Sequence, residues 1–157
     1  MIKAILAILL TVTPAFARVD PGTGDLMAAA EQYATVSVDT PGDCQDGWYG
    51  SYTLSTRHLV ICTKGGWDGE DHDTVRHEVW HLIQHCTYGF GDILKPVLDK
   101  DELDEWVSKV MTPERLQAFA MAYHPMVLDS ELEASAAAYT FSAAQVEQIL
   151  HRACGNP

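Results

Sequence analysis

The stretch Glu70 to Gly91, EDHDTVRHEVWHLIQHCTYGFG, decides how this chain is read. Within it Val75, Val79, Leu82 and Cys86 recur at helical spacing, which predicts one amphipathic helix with a continuous apolar face. Asp71 or Asp73 is available as its N-cap and Gly89 as its stop. At about 100° per residue, His77 and His81 fall nearly opposite the apolar face and one turn apart. The helix is therefore expected to offer core on one side and a cleft on the other.

The cleft side carries His77-Glu78-Val79-Trp80-His81, an H-E-x-x-H pattern. Two histidines at i and i+4 can hold one zinc ion, and the glutamate beside the first can reach a water at that ion as general base. A surface histidine pair or a buried hydrogen-bonded histidine is the plainer alternative. A catalytic zinc needs a third protein ligand and an open position. The extended metzincin pattern is excluded, because Gln84 and Thr87 stand where glycine and a further ligand belong. His85 lies a further turn along the same helix, and three successive turns do not converge on one tetrahedral ion. It is expected at the surface or in support of the ligands.

The expected third ligand comes from Asp129 to Ala138, DSELEASAAA, where carboxylates are backed by small residues that permit close helix packing. Glu133, followed directly by alanine, is preferred over Glu131. Ser130-x-x-Glu133 also fits a capping box, which would make Glu133 structural.

At these residues the chain resembles the gluzincin group of zincin metallopeptidases, in which HExxH is followed on a later helix by a ligand glutamate. Glu133-Ala134 matches the Glu-Ala of thermolysin-like members. The run Glu131-x-Glu133-Ala134-x-x-x-Ala138 is similar to the pattern of small IrrE-like and ImmA-like metallopeptidases, with Ser135 and Ala137 in place of Asn and Phe. The resemblance implies an α+β, minimal zincin-like fold: a small antiparallel sheet or hairpin packed on the HExxH helix, followed by a helical C-terminal part. It implies Zn2+ held by His77, His81 and Glu133, with Glu78 taking a proton from water and returning it to the leaving amine. Tyr139, with Tyr123 and His124 as alternatives, is the expected donor to the tetrahedral oxyanion.

Other features set the context. Met1 to Ala17 has an early lysine, an apolar run from Ala4 to Val12 and an Ala15-Phe16-Ala17 cleavage site, which predicts a secretory signal peptide (1–17) and one metallopeptidase-like domain (18–157). The apolar run is too short to span a bilayer, so no stable membrane insertion is expected. A net charge of −12 disfavours nucleic acid and anionic membranes. Four cysteines in an exported chain predict two disulfides, and element order suggests Cys44–Cys62 and Cys86–Cys154.

A first helix is read over Asp25–Ala34, and a strand pair over Trp48–Ser55 and His58–Cys62. Later helices are expected to open at Asp99-x-x-Glu102, Thr112-Pro113 and Ser142-x-x-Gln145. A peptide or protein substrate would lie extended against an exposed strand, with His58–Cys62 the chosen one; an interior strand fits the same apolar run. Trp48, Tyr49, Tyr52 and Trp67 could line the cleft. The acidic run Asp99–Glu105 lacks the spacing of a calcium loop and reads as a capped helix start. A zinc-stabilised binding module, an inhibitor or toxin component, and a hydrolase of cell-wall peptide amides are the competing readings.

Overall fold

A computed structural model describes residues 20–64, 66–88, 91 and 93–155. The signal segment, its cleavage site and the expected helix stop at Gly89 lie outside the described residues. The class is α+β, with the order α1 (Thr23–Ala30), β1 (Thr35–Val38), β2 (Gly50–Thr53), β3 (His58–Ile61), α2 (Gly69–Tyr88), α3 (Lys100–Val110), α4 (Pro113–Ala122), α5 (Pro125–Thr140) and α6 (Ala143–Cys154).

The HExxH helix, α2, is the axis, packed against α1, α5, α6, β2 and β3. It starts one cap earlier than expected. Asp68 Oδ1 accepts from the amides of Glu70 and Asp71, while Asp71 Oδ2 accepts from the amide of Asp68. Asp68 is thus the cap, and Asp71 its reciprocal partner rather than the cap itself. The expectation of one apolar face also needs correcting. Val75, Val79 and Leu82 are fully buried as expected, but Trp80, His81, Gln84 and His85 are buried too. Neighbours on most sides make α2 largely a core helix, so burial favours partners inside the protein for its polar groups; His72 Nε2 is buried without one among the described residues.

Those neighbours approach closely because α5 presents Ala134, Ala136, Ala137 and Ala138, all buried, as a stripe of minimal side chains. Trp80 fills the space beyond them, stacked on Phe141 with ring centroids 5.6 Å apart and beside Trp106 at 6.4 Å. Burying aromatics of this size contributes a few kcal/mol each, on the order of 1.5–3.

The sheet is three-stranded and mixed, in the order β1-β3-β2. The expected hairpin is present as β2 antiparallel to β3, with Gly50 opposite Ile61 and Thr53 opposite His58. The addition is β1, parallel to β3; its four residues, TVSV, are too few to announce a strand by pattern. This arrangement places β3 inside the sheet, with Leu59, Val60 and Ile61 buried. The His58–Cys62 run is therefore an interior strand and not the exposed edge; β2 is an edge.

Both disulfides form in the expected pairing, Cys44–Cys62 and Cys86–Cys154. The caps of α3 (Asp99), α4 (Thr112) and α6 (Ser142, with a full capping box to Gln145) stand where they were read. α1 is the shorter helix Thr23–Ala30, because residues 31–34 turn toward β1. Among the described residues no helix is long and apolar enough to cross a membrane. Two disulfides are the bonding pattern of an oxidising compartment.

Cys86–Cys154 closes a sequence separation of 68 residues between α2 and α6. Replacing both cysteines with alanine should lower unfolding stability by about 4 kcal/mol through released chain entropy. Denaturant titration of the double variant checks this; an unchanged midpoint would show that α6 docks without the bond.

Candidate metal centre

One turn of α2 aims two imidazoles at one point. Nε2 of His77 and Nε2 of His81 are 3.1 Å apart, with ring planes nearly perpendicular at 88°. Glu131, from α5, completes the group: its Oε2 lies 3.2 Å from His77 Nε2 and its Oε1 3.5 Å from His81 Nε2. One ligand atom from each residue falls within 4.8 Å of the others, an arrangement that could hold a metal ion. The far nitrogens are engaged elsewhere. His77 Nδ1 meets Ser135 Oγ at 3.1 Å and His81 Nδ1 meets Gln84 Oε1 at 2.8 Å, the outer hydrogen bonds that orient ligand imidazoles.

The carboxylate at this point is Glu131, not Glu133. Glu133 is fully buried and turned away: its Oε2 accepts from Trp80 Nε1 at 3.0 Å, Gln84 Nε2 at 2.8 Å and the Val97 amide at 2.8 Å, while Oε1 accepts from the Leu98 amide at 2.8 Å. Two residues along a helix are separated by about 200°, so only one of the pair can face the histidines. The capping-box alternative for Glu133 fails as well. Ser130 lies inside α5 and donates to the Val127 carbonyl, and His124 is the cap.

Electrostatics follow from this packing. Burial opposes charging His81, but hydrogen bonding to Glu131 and the charges of Glu131 and Glu78 overcome it, carrying its pKa to about 9. The same contact seen from Glu131 has burial pushing upward and the two imidazoles pulling harder, well below the ordinary carboxylate range. Glu78 differs. Its pKa is raised, chiefly by burial, with the histidines working against the shift and Glu131 with it.

The group lies in a cleft of about 1280 Å3 between the β2 segment, α2, α4 and α5. Trp48, Tyr49 and Tyr52 line it, as expected; Trp67 is not among the lining residues and instead lies 5.8 Å from the His72 ring. His85 is neither at the surface nor beside the ligands: it is buried and its Nδ1 meets the Tyr52 hydroxyl at 2.7 Å. Of the three residues considered as oxyanion donors, Tyr139 lines the cleft but its hydroxyl accepts from Arg115, whose guanidinium lies over its ring. His124 caps α5. Tyr123 comes nearest the carboxylates: burial and then the charges of Glu131 and Glu78, with a hydrogen bond to Glu131, push its pKa up to about 12.

Sequence reasoning missed three residues. Ser135 and Gln84 hold the histidines; Gln84, at i+3 from His81, had the spacing to do so. The third is Gly50. A Cβ there would meet Thr74 Cγ2 at 2.7 Å, Glu78 Cγ at 2.9 Å and the Val60 carbonyl at 3.0 Å, so glycine is what lets β2 lie directly on Glu78.

No protein-family model matches the chain, and neither a curated protein nor a solved structure does.

Gly50→Ala should cost about 1–3 kcal/mol, the usual penalty of overpacking, because the intruding methyl meets a backbone carbonyl as well as two side chains. Chemical denaturation measures it. A variant as stable as the parent would mean that β2 is free to lift from α2.

Proposed function

We propose that this chain is a secreted zinc-dependent peptidase, with His77, His81 and Glu131 as metal ligands and Glu78 as general base. The observation that carries the reading is the convergence of two Nε2 atoms and a carboxylate within 4.8 Å, beside a buried glutamate and in an open cleft. The donor chemistry suits zinc, which takes imidazole and carboxylate in tetrahedral sites. Among the described residues three ligands converge rather than four. That favours a site with a free position over a closed structural one, and so favours catalysis over a zinc-stabilised binding module. Bound there, zinc would supply Lewis acidity to a scissile carbonyl and to an attacking water.

The protein's own part is to position and to move a proton. Glu78, whose burial raises its pKa, takes the proton of the attacking water and returns it to the leaving nitrogen; the upward shift makes it the better base for the first of these transfers. The Tyr123 hydroxyl, kept protonated by a pKa of about 12 and hydrogen-bonded to Glu131, is the donor assigned to the developing oxyanion. Substrate orientation falls to β2, whose outer edge has no strand partner among the described residues and lines the cleft. An extended peptide paired backbone to backbone with Gly50–Thr53 would pass over Glu78. Both disulfides fit export, in line with the signal-like N-terminus. Hydrolysis of cell-wall peptide amides uses the same chemistry and is the substrate class to assay beside ordinary peptides.

Zinc content and peptide hydrolysis of the purified protein test this. Glu78→Gln should retain zinc and lose about 10²- to 10⁴-fold in kcat, and Glu131→Ala should lose zinc. Full activity in Glu78→Gln would end the mechanism. Full zinc occupancy in Glu131→Ala would place the third ligand elsewhere.

The pH dependence has a definite sign. In the metal-free protein the raised pKa of His81 contributes stability that is complete below 6.5 and lost as pH rises through about 9. Zinc requires the unprotonated nitrogen. Its affinity should therefore climb over the same window, with proton release measurable by calorimetry in buffers of different ionisation enthalpy. A flat profile would show that His81 is not a ligand.

A further inference from the structure

Gln84 has a side-chain amide whose orientation the surrounding groups determine. Its nitrogen faces two acceptors, the Ser130 carbonyl at 3.0 Å and Glu133 Oε2 at 2.8 Å. An amide oxygen cannot occupy that position, since neither neighbour has a proton to give: Glu133 is held by three further groups that are all N–H donors, Trp80 Nε1 and the amides of Val97 and Leu98. The Gln84 oxygen is thereby turned to His81 Nδ1, 2.8 Å away. An oxygen there can only accept, so Nδ1 must carry a proton and the lone pair of neutral His81 must reside on Nε2. Both Gln84 and Glu133 are fully buried, so water does not compete for these bonds.

We propose that Gln84 and Glu133 are positioning residues for the metal centre: Glu133 locks the Gln84 amide, and Gln84 fixes His81 in the tautomer that presents Nε2 to the ion. The assignment rests on the zinc peptidase reading above and deepens it. His77 provides an internal contrast. Its Nδ1 faces the Ser135 hydroxyl at 3.1 Å, a group that donates or accepts by rotation and so imposes no tautomer. Glu133 also holds the amides of Val97 and Leu98, which ties the segment leading into α3 to the same ligand.

The test uses the whole disulfide-bonded protein with Zn2+ as probe, reading zinc affinity by competition and histidine tautomers by long-range proton–nitrogen NMR. Gln84→Met, similar in length but without acceptor or donor, should weaken zinc binding about 10- to 100-fold and release the His81 tautomer, with His77 responding only through its 3.1 Å contact with His81 Nε2 and keeping its bond to Ser135. Glu133→Gln keeps the shape of the carboxylate but removes the fixed acceptor; it should fold and show a smaller loss of about tenfold, with His81 again the histidine affected. A general structural role would also break the bond between His77 Nδ1 and Ser135. Zinc affinity within twofold of the parent in both variants, with His81 unchanged, would overturn the positioning role alone. A parent protein that takes up no zinc would overturn the peptidase reading and this assignment with it. Should Gln84→Met fail to fold, Glu133→Gln decides.

Discussion

A helix enclosed on most of its sides leaves few polar groups to water, and α2 carries Arg76, His81, Gln84 and His85 into the interior. Each unpaired group would cost on the order of 1–3 kcal/mol, so the rest of the structure is arranged around satisfying them. Arg76 takes the Ala138 carbonyl, Asp20 and Asp73. Gln84 takes His81, Ser130 and Glu133. His85 takes Tyr52. These contacts reach α5, the N-terminal segment and β2, so the register of α2 against its neighbours is fixed by polar pairing as well as by the fit of Trp80 among Phe141 and Trp106.

Much of this was legible along the chain, and what was not has a common cause. Capping signals at Asp99, Thr112 and Ser142, the histidine pair at i and i+4, and the disulfide pairing depend on local chemistry or element order, and the structure reproduces them. The choice between Glu131 and Glu133 depends on how α5 is rotated about its axis. That rotation is set by which alanines pack on α2, and both glutamates belong to the same Glu-x-Glu-Ala run. A signature that favours the glutamate before alanine therefore selected the residue whose carboxylate is wired to backbone amides and an indole.

The choice of His58–Cys62 as the exposed edge failed for a similar reason. His58–Cys62 is an apolar run in an interior strand, while β2, which lines the cleft, reads GSYT. Its importance lies in the missing side chain of Gly50, through which the strand backbone comes against Thr74 and Glu78. Composition ranks such a segment as weak. Contact geometry makes it the wall of the site.

Three carboxylates lie in and around this centre, and their different surroundings sort their tasks. Glu131 is met by imidazoles and drawn well below the ordinary range, so it stays an anion fit to bind a cation. Glu133 is raised by burial, yet four N–H groups work against that shift and none of them could receive a proton from it; it serves as a fixed acceptor. Glu78 has burial raising its pKa and only the charges of the histidines opposing the rise. A carboxylate with no N–H donor among the described residues can change its protonation state without dismantling its surroundings. In the proposed mechanism proton transfer therefore falls to Glu78, and the neighbouring carboxylates owe their fixed roles to N–H partners of a kind that Glu78 does not meet among the described residues.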